Sequence, residues 1–336
     1  MATKTLNQNI NQAINDFKGV KQAIIDKGVE IPSGTPTSEY GAKISEIQSG
    51  GSGGLDTSGI TNFNEFCINQ RIPIDCLGGL DTRSGTNFSY MFSGCGSLTE
   101  IPQLDTSQGT NFSYMFSSCS SLTTIPELDT SNGTNFGHMF YGCTGLTTIP
   151  QLNTSNGTNF ERMFSGCTSL TTIPQLDTSE NTQFIQMFLN CSSLTEVPQL
   201  NTSKGKTFER MFEGCKKLTE IPPLDTSNAP QLSSTFRYCY ELKTVELTSF
   251  TSTRYTFDGC RSLENLTVTG TITVNNNYLS LSNSTKLTVE SLLNVLNALA
   301  DNTGKTTRTI TLGATNLAKL TDEQKAIATN KNYTLK

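Results

Sequence analysis

With 336 residues, the chain is long enough for two or three independently folding parts. It carries 24 Lys and Arg residues against 29 Asp and Glu residues, a net charge of -5, so it lacks the basic surface that a nucleic acid partner requires. Only 35% of the residues are hydrophobic, and no apolar segment reaches the length of a membrane-spanning helix, so we expect no membrane insertion.

The first part of the chain, residues 1–48, has a helical pattern. Its apolar residues follow a heptad spacing that is typical of a coiled coil: Leu6, Ile10, Ala13, Phe17, Val20 and Ile24. A second short helix is predicted over residues 38–47, and the Gly/Ser-rich stretch 49–54 is predicted to be a flexible linker. Residues 1–48 form either a helical hairpin that packs on itself or, as we favour, an attachment module that makes a homo-oligomer, with a trimer expected.

Residues 55–270 consist of a 24-residue unit that repeats almost letter for letter, as in LDTSQGTNFSYMFSSCSSLTTIPE from Leu104. A fixed period of this length predicts a solenoid, in which each coil buries its apolar side against its neighbours. In this copy four residues are spaced as on one face of a helix: Phe112, Met115, Phe116 and Cys119. LTTIPEL predicts a short strand that ends at a proline. We therefore predict an α/β solenoid of helix–strand coils.

The turn between copies begins with an acidic residue or its amide, in the column Asp81, Asp105, Asp129, Asn153, Asp177, Asn201 and Asp225. Aligned carboxylates suggest calcium, but Asn serves as well as Asp in an Asx turn, so we predict Asx turns and no metal site. A glycine follows in most copies, as Gly109, Gly133, Gly157 and Gly205, and becomes Asn181 in one. This exchange predicts a left-handed backbone at that position.

Seven cysteines recur at intervals of 24 residues, from Cys95 to Cys239. Equivalent residues of stacked coils point the same way, which suits neither the converging geometry of a disulfide nor the four converging ligands of zinc. We predict a column of buried thiols in a protein that is assembled in a reducing cytoplasm, with no cofactor.

Residues 271–336 do not repeat and are predicted to cap the end of the solenoid. TVESLLNVLNALADN predicts an amphipathic helix, TRTITLGA a strand and NYTLK a final strand. Thr321 and Gln324 have the spacing of a capping box at the start of another helix.

The repeated motif NFSYMFSGCxSLTxIPxLDTS resembles the BspA-type leucine-rich repeats, the DUF285 class of bacterial surface proteins, over residues 55–270. This resemblance implies a leucine-rich-repeat rod, and BspA-like proteins are secreted adhesins that bind host matrix proteins. The opening INDFKGVKQAIIDKGVEIPSGTPTSEYGAKISEI and the closing ITLGATNLAKLTDEQKAIATNKNYTL are similar to terminal segments of tail and baseplate-associated proteins of phages of Gram-positive bacteria. Together with the lack of an apolar signal sequence, these ends imply a virion protein that is assembled in the host cytoplasm and leaves by lysis.

Catalysis is not supported by the residues. His138 is the single histidine, and it is predicted to point outward while Cys143 points inward. GKTT at 304–307 lacks the glycine that a phosphate-binding loop needs, since Leu299 stands in its place. We predict no enzymatic activity.

Binding is predicted along two columns of the solenoid. The first changes at nearly every copy and comprises Tyr90, Tyr114, His138, Arg162, Gln186 and Arg210, with Tyr141 beside it. It is either a recognition strip, since Tyr and Arg are common interface anchors, or a set of exposed positions that drift freely. The second is a hydroxyl-rich row that includes Thr123, Thr147 and Thr171, which suits a glycan or simply an exposed strand.

We therefore expect a phage tail fibre or receptor-binding protein. Residues 1–48 would attach it to other tail or baseplate proteins, and the solenoid would contact a host cell-surface glycan or protein. The alternatives are a bacterial BspA-like surface adhesin and a phage head or neck decoration fibre.

Overall fold

The computed structural model describes residues 57, 59–67, 80–229, 232–252 and 254–336. The predicted coiled-coil seam over 6–24, the second helix over 38–47 and the linker over 49–54 lie outside the described residues. The chain divides into two compact units, Met1–Asn156 and Gly157–Lys336. In the described part of the chain, no helix is long and apolar enough to cross a lipid bilayer.

In both units the predicted apolar columns form the core. One representative coil has these side chains fully buried: Phe112, Met115, Phe116, Cys119 and Leu122. Rings of consecutive coils stack, with centroids 5.7 Å apart for Phe88 and Phe112 in the first unit. The rings of Phe164 and Phe188 in the second unit are 5.6 Å apart. Since burying one such side chain contributes about 1.5–3 kcal/mol, each coil is stabilised mainly by its neighbours.

The predicted helix in each coil is wrong, although its apolar face is right. Residues 113–118 form a run of turns in which successive N–H groups alternate between two kinds of acceptor. Met115 N donates to Phe112 O within the coil at 3.2 Å, whereas Phe116 N donates to Met139 O of the next coil at 2.9 Å. Two residues of each coil also have a left-handed backbone, which no α-helix contains. Bonds to the neighbouring coil thus replace the helical ladder, while the same residues still face the core.

The turn between coils is an Asx turn, as predicted. Asp105 Oδ1 accepts a hydrogen bond from Ser107 N at 3.1 Å. Asn153 Oδ1 accepts the equivalent bond from Ser155 N at 3.2 Å. Asn and Asp are interchangeable here because the turn uses one side-chain oxygen.

A column of buried threonines, which the sequence analysis did not identify, joins consecutive coils. Thr106 is 1% exposed, and its Oγ1 donates to Asp129 O of the next coil at 2.8 Å. Thr178 makes the same bond to Asn201 O in the second unit, also at 2.8 Å. Each bond contributes about 1 kcal/mol and satisfies a carbonyl at the start of a turn.

The predicted left-handed backbone is wrong at Gly109, Gly133, Gly205 and Asn181, none of which has a positive φ. Glycine is needed at Gly109 because a Cβ atom there would lie 2.5 Å from Phe112 Cζ and 2.9 Å from Thr106 O. Asn181 is tolerated in its own coil because its fully buried side chain donates to Gln183 O at 3.0 Å. The column reflects a close approach of the backbone to a buried ring.

Strands form in the coils that lack proline. Strand β1 (Thr244–Leu247) pairs in parallel with β3 (Asn265–Val268), and β2 (Phe250–Thr251) pairs with β4 (Ile272–Thr273). In the preceding described coils, the corresponding segments contain a proline such as Pro126 and form no strand. Most isolated bridges of these coils lie before the run of turns instead, as between Asn87 and Asn111. Proline has no N–H to donate, so the predicted strand of these coils is an extended segment without a ladder.

The predicted C-terminal cap is built around a helix that covers a strand edge. Helix α1 (Val289–Ala298) packs against β3, and Ser291 Oγ accepts from Leu266 N at 2.8 Å. Asn294 Oδ1 accepts from Val268 N, also at 2.8 Å. These two side chains satisfy main-chain donors that the last strand would otherwise expose.

The remaining cap elements follow the predicted order. Strand β5 (Arg308–Ile310) pairs in parallel with β6 (Tyr333–Leu335), and a short helix α2 (Ala314–Leu317), which was not predicted, lies between them in sequence. Helix α3 (Asp322–Thr329) begins with the predicted capping box: Gln324 N donates to Thr321 Oγ1 at 3.2 Å, and Thr321 N donates to Gln324 Oε1 at 2.9 Å.

The predicted burial of the thiol column is confirmed. Cys143 is fully buried, and its Sγ donates to Phe116 O of the preceding coil at 2.9 Å. Burial raises the pKa of Cys143 to about 12, and that of Cys191 to about 12. These thiols stay protonated at neutral pH and pack as small apolar groups.

Candidate binding surfaces

One column of side chains occupies a strained backbone conformation. This outer column comprises Glu65, Tyr90, Tyr114 and His138 in the first unit and Arg162, Gln186, Arg210, Ser234 and Tyr255 in the second. All nine residues have φ between 53° and 64°, in the left-handed region, which costs a residue with a Cβ atom about 1–2 kcal/mol. The coil imposes this conformation, since Tyr114 N donates to Gly137 O of the next coil while Tyr114 O accepts from Ser117 N, both at 3.0 Å.

A second column with a left-handed backbone lies four residues further along each coil, and most of its residues are glycine. This glycine column comprises Gly94, Ser118, Gly142, Gly166, Asn190, Gly214, Tyr238 and Gly259. Glycine adopts a positive φ without strain, and it occupies five of these eight positions but none of the nine in the outer column. Each side chain in the outer column therefore carries a backbone cost that glycine would avoid.

In the first unit the outer column forms a ladder of rings after Glu65. The centroids of Tyr90 and Tyr114 are 4.4 Å apart, and those of Tyr114 and His138 are 4.2 Å apart. Tyr141 extends the ladder sideways at 5.8 Å from His138 and is 40% exposed. Partial burial in this stack raises the pKa of Tyr90. The ladder presents rigid ring edges and hydroxyl groups to solvent, which is the chemistry of many protein-binding surfaces.

In the second unit the outer column is polar and internally bonded. Arg162 Nε donates to Gln186 Oε1 at 2.7 Å. Gln186 is 8% exposed, so it holds the arginine in place and offers little surface of its own. Arg210 lies 3.4 Å from Glu213 and keeps 47% of its side chain exposed. The structure thus brings the predicted residues into one column within each unit, with rings in the first and charged groups in the second.

The repeat motif identifies the family. A family model described as "Mycoplasma protein of unknown function, DUF285" matches residues 40–148 and 145–250. The chain belongs to the DUF285 family. The predicted resemblance to BspA-type leucine-rich repeats of this class is thereby confirmed at the level of the family. No curated protein matches the chain at a significant level.

Solved leucine-rich-repeat structures resemble parts of this DUF285 protein. A leucine-rich repeat protein from Bacteroides ovatus shares 17% identity over 64% of this chain and 68% of its own, with a TM-score of 0.34. The T. pallidum leucine-rich repeat protein TpLRR shares 19% identity over 60% and 71%, with a TM-score of 0.30. A chain of the TLR13–ssRNA13 complex shares 14% identity over 82% and 45%, with a TM-score of 0.28. These superpositions are loose, so the fold described above rests on the coils of this chain itself.

The predicted threonine row lies on the surface of the DUF285 repeats, with Thr123, Thr147 and Thr171 exposed. Its hydroxyl groups are partly used within the scaffold. Thr147 Oγ1 donates to Thr123 O at 3.2 Å, and Thr195 Oγ1 donates to Thr171 O at 3.2 Å. The row therefore strengthens contacts between coils, and a partner would meet hydroxyls that act mainly as acceptors.

An arginine–tyrosine cluster in the second unit was missed by the sequence analysis. The guanidinium of Arg237 lies between the rings of Tyr238 and Tyr255, at 4.4 and 4.6 Å from their centroids. It also pairs with Glu213 at 3.5 Å and Asp258 at 3.4 Å. Tyr255 belongs to the outer column, but the sequence analysis missed it because the last repeats do not keep the 24-residue spacing. When Cys260 is aligned with Cys239, Tyr255 aligns with Ser234 of the outer column.

The aspartate and cysteine side chains of the DUF285 repeats have structural roles. Among the described residues, no group of three or more His, Cys, Asp and Glu side chains is placed to hold a metal ion. Asp129 has a lowered pKa because Ser131 donates side-chain and main-chain hydrogen bonds to its carboxylate. The pKa of Cys143 is raised by burial, whereas a nucleophilic cysteine needs a lowered pKa.

Proposed function

We propose that this DUF285 protein is a non-enzymatic attachment protein of a phage tail, which contacts a host cell-surface glycan or protein through the outer column. The observation that carries the proposal is the contrast between the two left-handed columns. One is filled mainly by glycine, whereas the other keeps Tyr, His, Arg and Gln at positions where each costs about 1–2 kcal/mol. Tyr and Arg are also the residues that most often anchor protein interfaces.

The tail location rests on the resemblance, expected from the sequence alone, of the two ends of the chain to phage tail and baseplate-associated proteins. In this proposal residues 1–48 bind other tail or baseplate proteins and assemble the chain as a homo-oligomer, with a trimer favoured. The protein is assembled in the host cytoplasm and resides in the virion.

A second candidate is a BspA-like adhesin on a bacterial surface. Family membership supports the adhesin and the tail protein equally, because the DUF285 repeats extend over residues 40–250 in either case. The outer column would serve the same purpose on a cell as on a phage.

Cell binding by matched variants tests the role of the outer column. We expect the triple variant Tyr90→Gly, Tyr114→Gly and His138→Gly to bind host cells at least about tenfold more weakly, since it removes three anchors worth more than 1 kcal/mol each. Ser118→Gly is the control, because Ser118 is also left-handed (φ 62°) but belongs to the glycine column. Equal binding by the triple variant and the wild type would refute the strip.

Antibody labelling of particles and cells separates the two locations. Label at the tail supports the phage proposal, and label on capsids would reject it. Label on the bacterial envelope with none on particles would establish the adhesin alternative.

A further inference from the structure

The second unit contains a groove that the outer column does not explain. It has a volume of about 530 Å³, which is within the range of small-ligand sites. It runs across three consecutive coils and is lined by residues from the same positions in each: Gln175, Asp177, Gln199, Asn201, Pro223 and Asp225. Because the lining repeats from coil to coil, the groove suits a ligand that itself has a repeating structure.

The groove has unused hydrogen-bonding capacity. Asp225 Oδ1 accepts three hydrogen bonds, from Ser227 N and Oγ and from Thr248 Oγ1, but its Oδ2 accepts none from the described residues. Asn201 uses its Oδ1 in an Asx turn, and its Nδ2 has no acceptor in the described part of the chain. A ligand that fills the groove must therefore both donate and accept hydrogen bonds.

Gln199 has a third unused hydrogen-bonding atom, and its side chain also binds two main-chain carbonyl groups of the groove. Its Nε2 donates to Leu200 O at 3.1 Å and to Pro223 O of the next coil at 3.2 Å, which substitutes for the ladder that proline prevents. Its Oε1 accepts no hydrogen bond from any described residue. The amide of Gln199 therefore competes with an extended peptide for main-chain pairing at these two carbonyl groups.

The charges of the groove set a further requirement. Asp177 and Asp225 have pKa values below the ordinary range of aspartate, because Ser179 and Ser227 donate hydrogen bonds to them. Both are ionised at neutral pH, and they repel an anionic ligand. The exposed ring of Pro223 offers a small apolar contact beside them.

We propose that this groove binds an unbranched, uncharged glycan that lies across successive coils. Sugar hydroxyls both donate and accept hydrogen bonds, as the unused oxygens of Gln199 and Asp225 and the unused amide of Asn201 require. The C–H face of a sugar ring fits against Pro223, and a linear glycan repeats at a short, regular interval as the coils do. This site is separate from the outer column and does not depend on the proposed function.

Calorimetric titration of the full chain tests the site, with cellohexaose and fully N-acetylated chitohexaose as neutral probes and oligogalacturonate as an anionic one. We expect a neutral probe to bind, and oligogalacturonate to bind at least about tenfold more weakly because of the two carboxylates. Binding of neither neutral probe, or tighter binding of the anionic one, would overturn the proposal.

Two variants place the binding in the groove. Asp225→Asn keeps its Asx turn, as Asn153 and Asn201 do in their own coils, and we expect about tenfold weaker binding from the loss of a charged acceptor. Gln199→Ala should also weaken binding, whereas Gln103→Ala should not. Gln103 is the matched control because its Nε2 makes the equivalent bonds, to Leu104 O and to Glu127 O, in the first unit. If Asp225→Asn binds like the wild type, or if both glutamine variants lose binding equally, the groove is not the site. Variants of the outer column should bind the probes normally, so the two proposals fail separately.

Discussion

The strain in the outer column can be measured at Arg210. Its φ is 53°, its side chain is 47% exposed, and its ion pairs with Glu213 at 3.4 Å and Glu209 at 3.9 Å lie near the surface. Arg210→Ala and Arg210→Gly lose these pairs equally, so their difference isolates the backbone. The alanine variant keeps a left-handed backbone strain of about 1–2 kcal/mol, and the glycine variant removes it. Glycine also stabilises the unfolded chain by about 0.4–1 kcal/mol, because it gives that chain more conformational entropy. We expect the glycine variant to be more stable than the alanine variant by about 1 kcal/mol.

The neighbouring Glu209 provides a control of opposite sign. It is exposed and has no positive φ, so Glu209→Ala should be more stable than Glu209→Gly by about 0.5–1 kcal/mol. Urea denaturation followed by circular dichroism gives the four midpoints, and the nine tyrosines supply a second probe in a chain without tryptophan. If Arg210→Ala proves at least as stable as Arg210→Gly, the outer column is unstrained and the proposed function loses its main support.

Three further predictions concern the coils themselves. Gly109→Ala should lower the free energy of unfolding by about 1–3 kcal/mol because its Cβ would lie 2.5 Å from Phe112 Cζ, and a denaturation midpoint equal to that of the wild type would contradict the close approach. The hydrogen bonds from Ser131 lower the pKa of Asp129 in the folded protein. The stabilisation by Asp129 is therefore complete above the unfolded pKa of about 4, and it is lost as the pH falls through the folded pKa. Asp129→Asn should reduce the loss of stability in acid, as measured by denaturation at a series of pH values. Cys143, with its pKa raised to about 12, should resist alkylation at pH 8 until denaturant is added, and rapid labelling of the native protein would show that the thiol is accessible.

The sequence predicts the core better than the hydrogen bonding. The spacing of Phe112, Met115, Phe116 and Cys119 correctly identifies the buried side, because both a helix and this run of turns place those positions together. The pattern contains no information on whether an N–H group bonds within its own coil or to the next. That choice depends on the neighbouring coil, and it is the reason why the helix is absent.

The same ambiguity explains the glycine error. Glycine permits both a positive φ and a close approach of the backbone, and Gly109 serves the second purpose. Elements with local signals were predicted well. The capping box of Thr321 and Gln324 and the apolar face of α1 require no knowledge of distant contacts.

For the binding surfaces, the sequence supplies the residues but not the reason for choosing among them. The variation from Tyr90 to Arg210 is visible in the repeats, but free drift explains it equally well. The left-handed backbone supports our proposal of a recognition strip over free drift, because positions under such strain should drift towards glycine. This evidence exists only once the chain is folded.

The placement of proline bears on how the protein avoids aggregation. Parallel coils with complete ladders would offer main-chain donors on which the strands of another molecule could assemble. The proline-containing segments, such as residues 122–128, form no strand and are poor templates of this kind. Strand β3 has a complete ladder with β1, and the side chains of Ser291 and Asn294 cover its other edge. Helix α1 therefore ends the repeats and also protects the edge of β3 from pairing with another molecule. A chain truncated before Val289 would expose this edge, and β3 could then pair with β3 of a second copy.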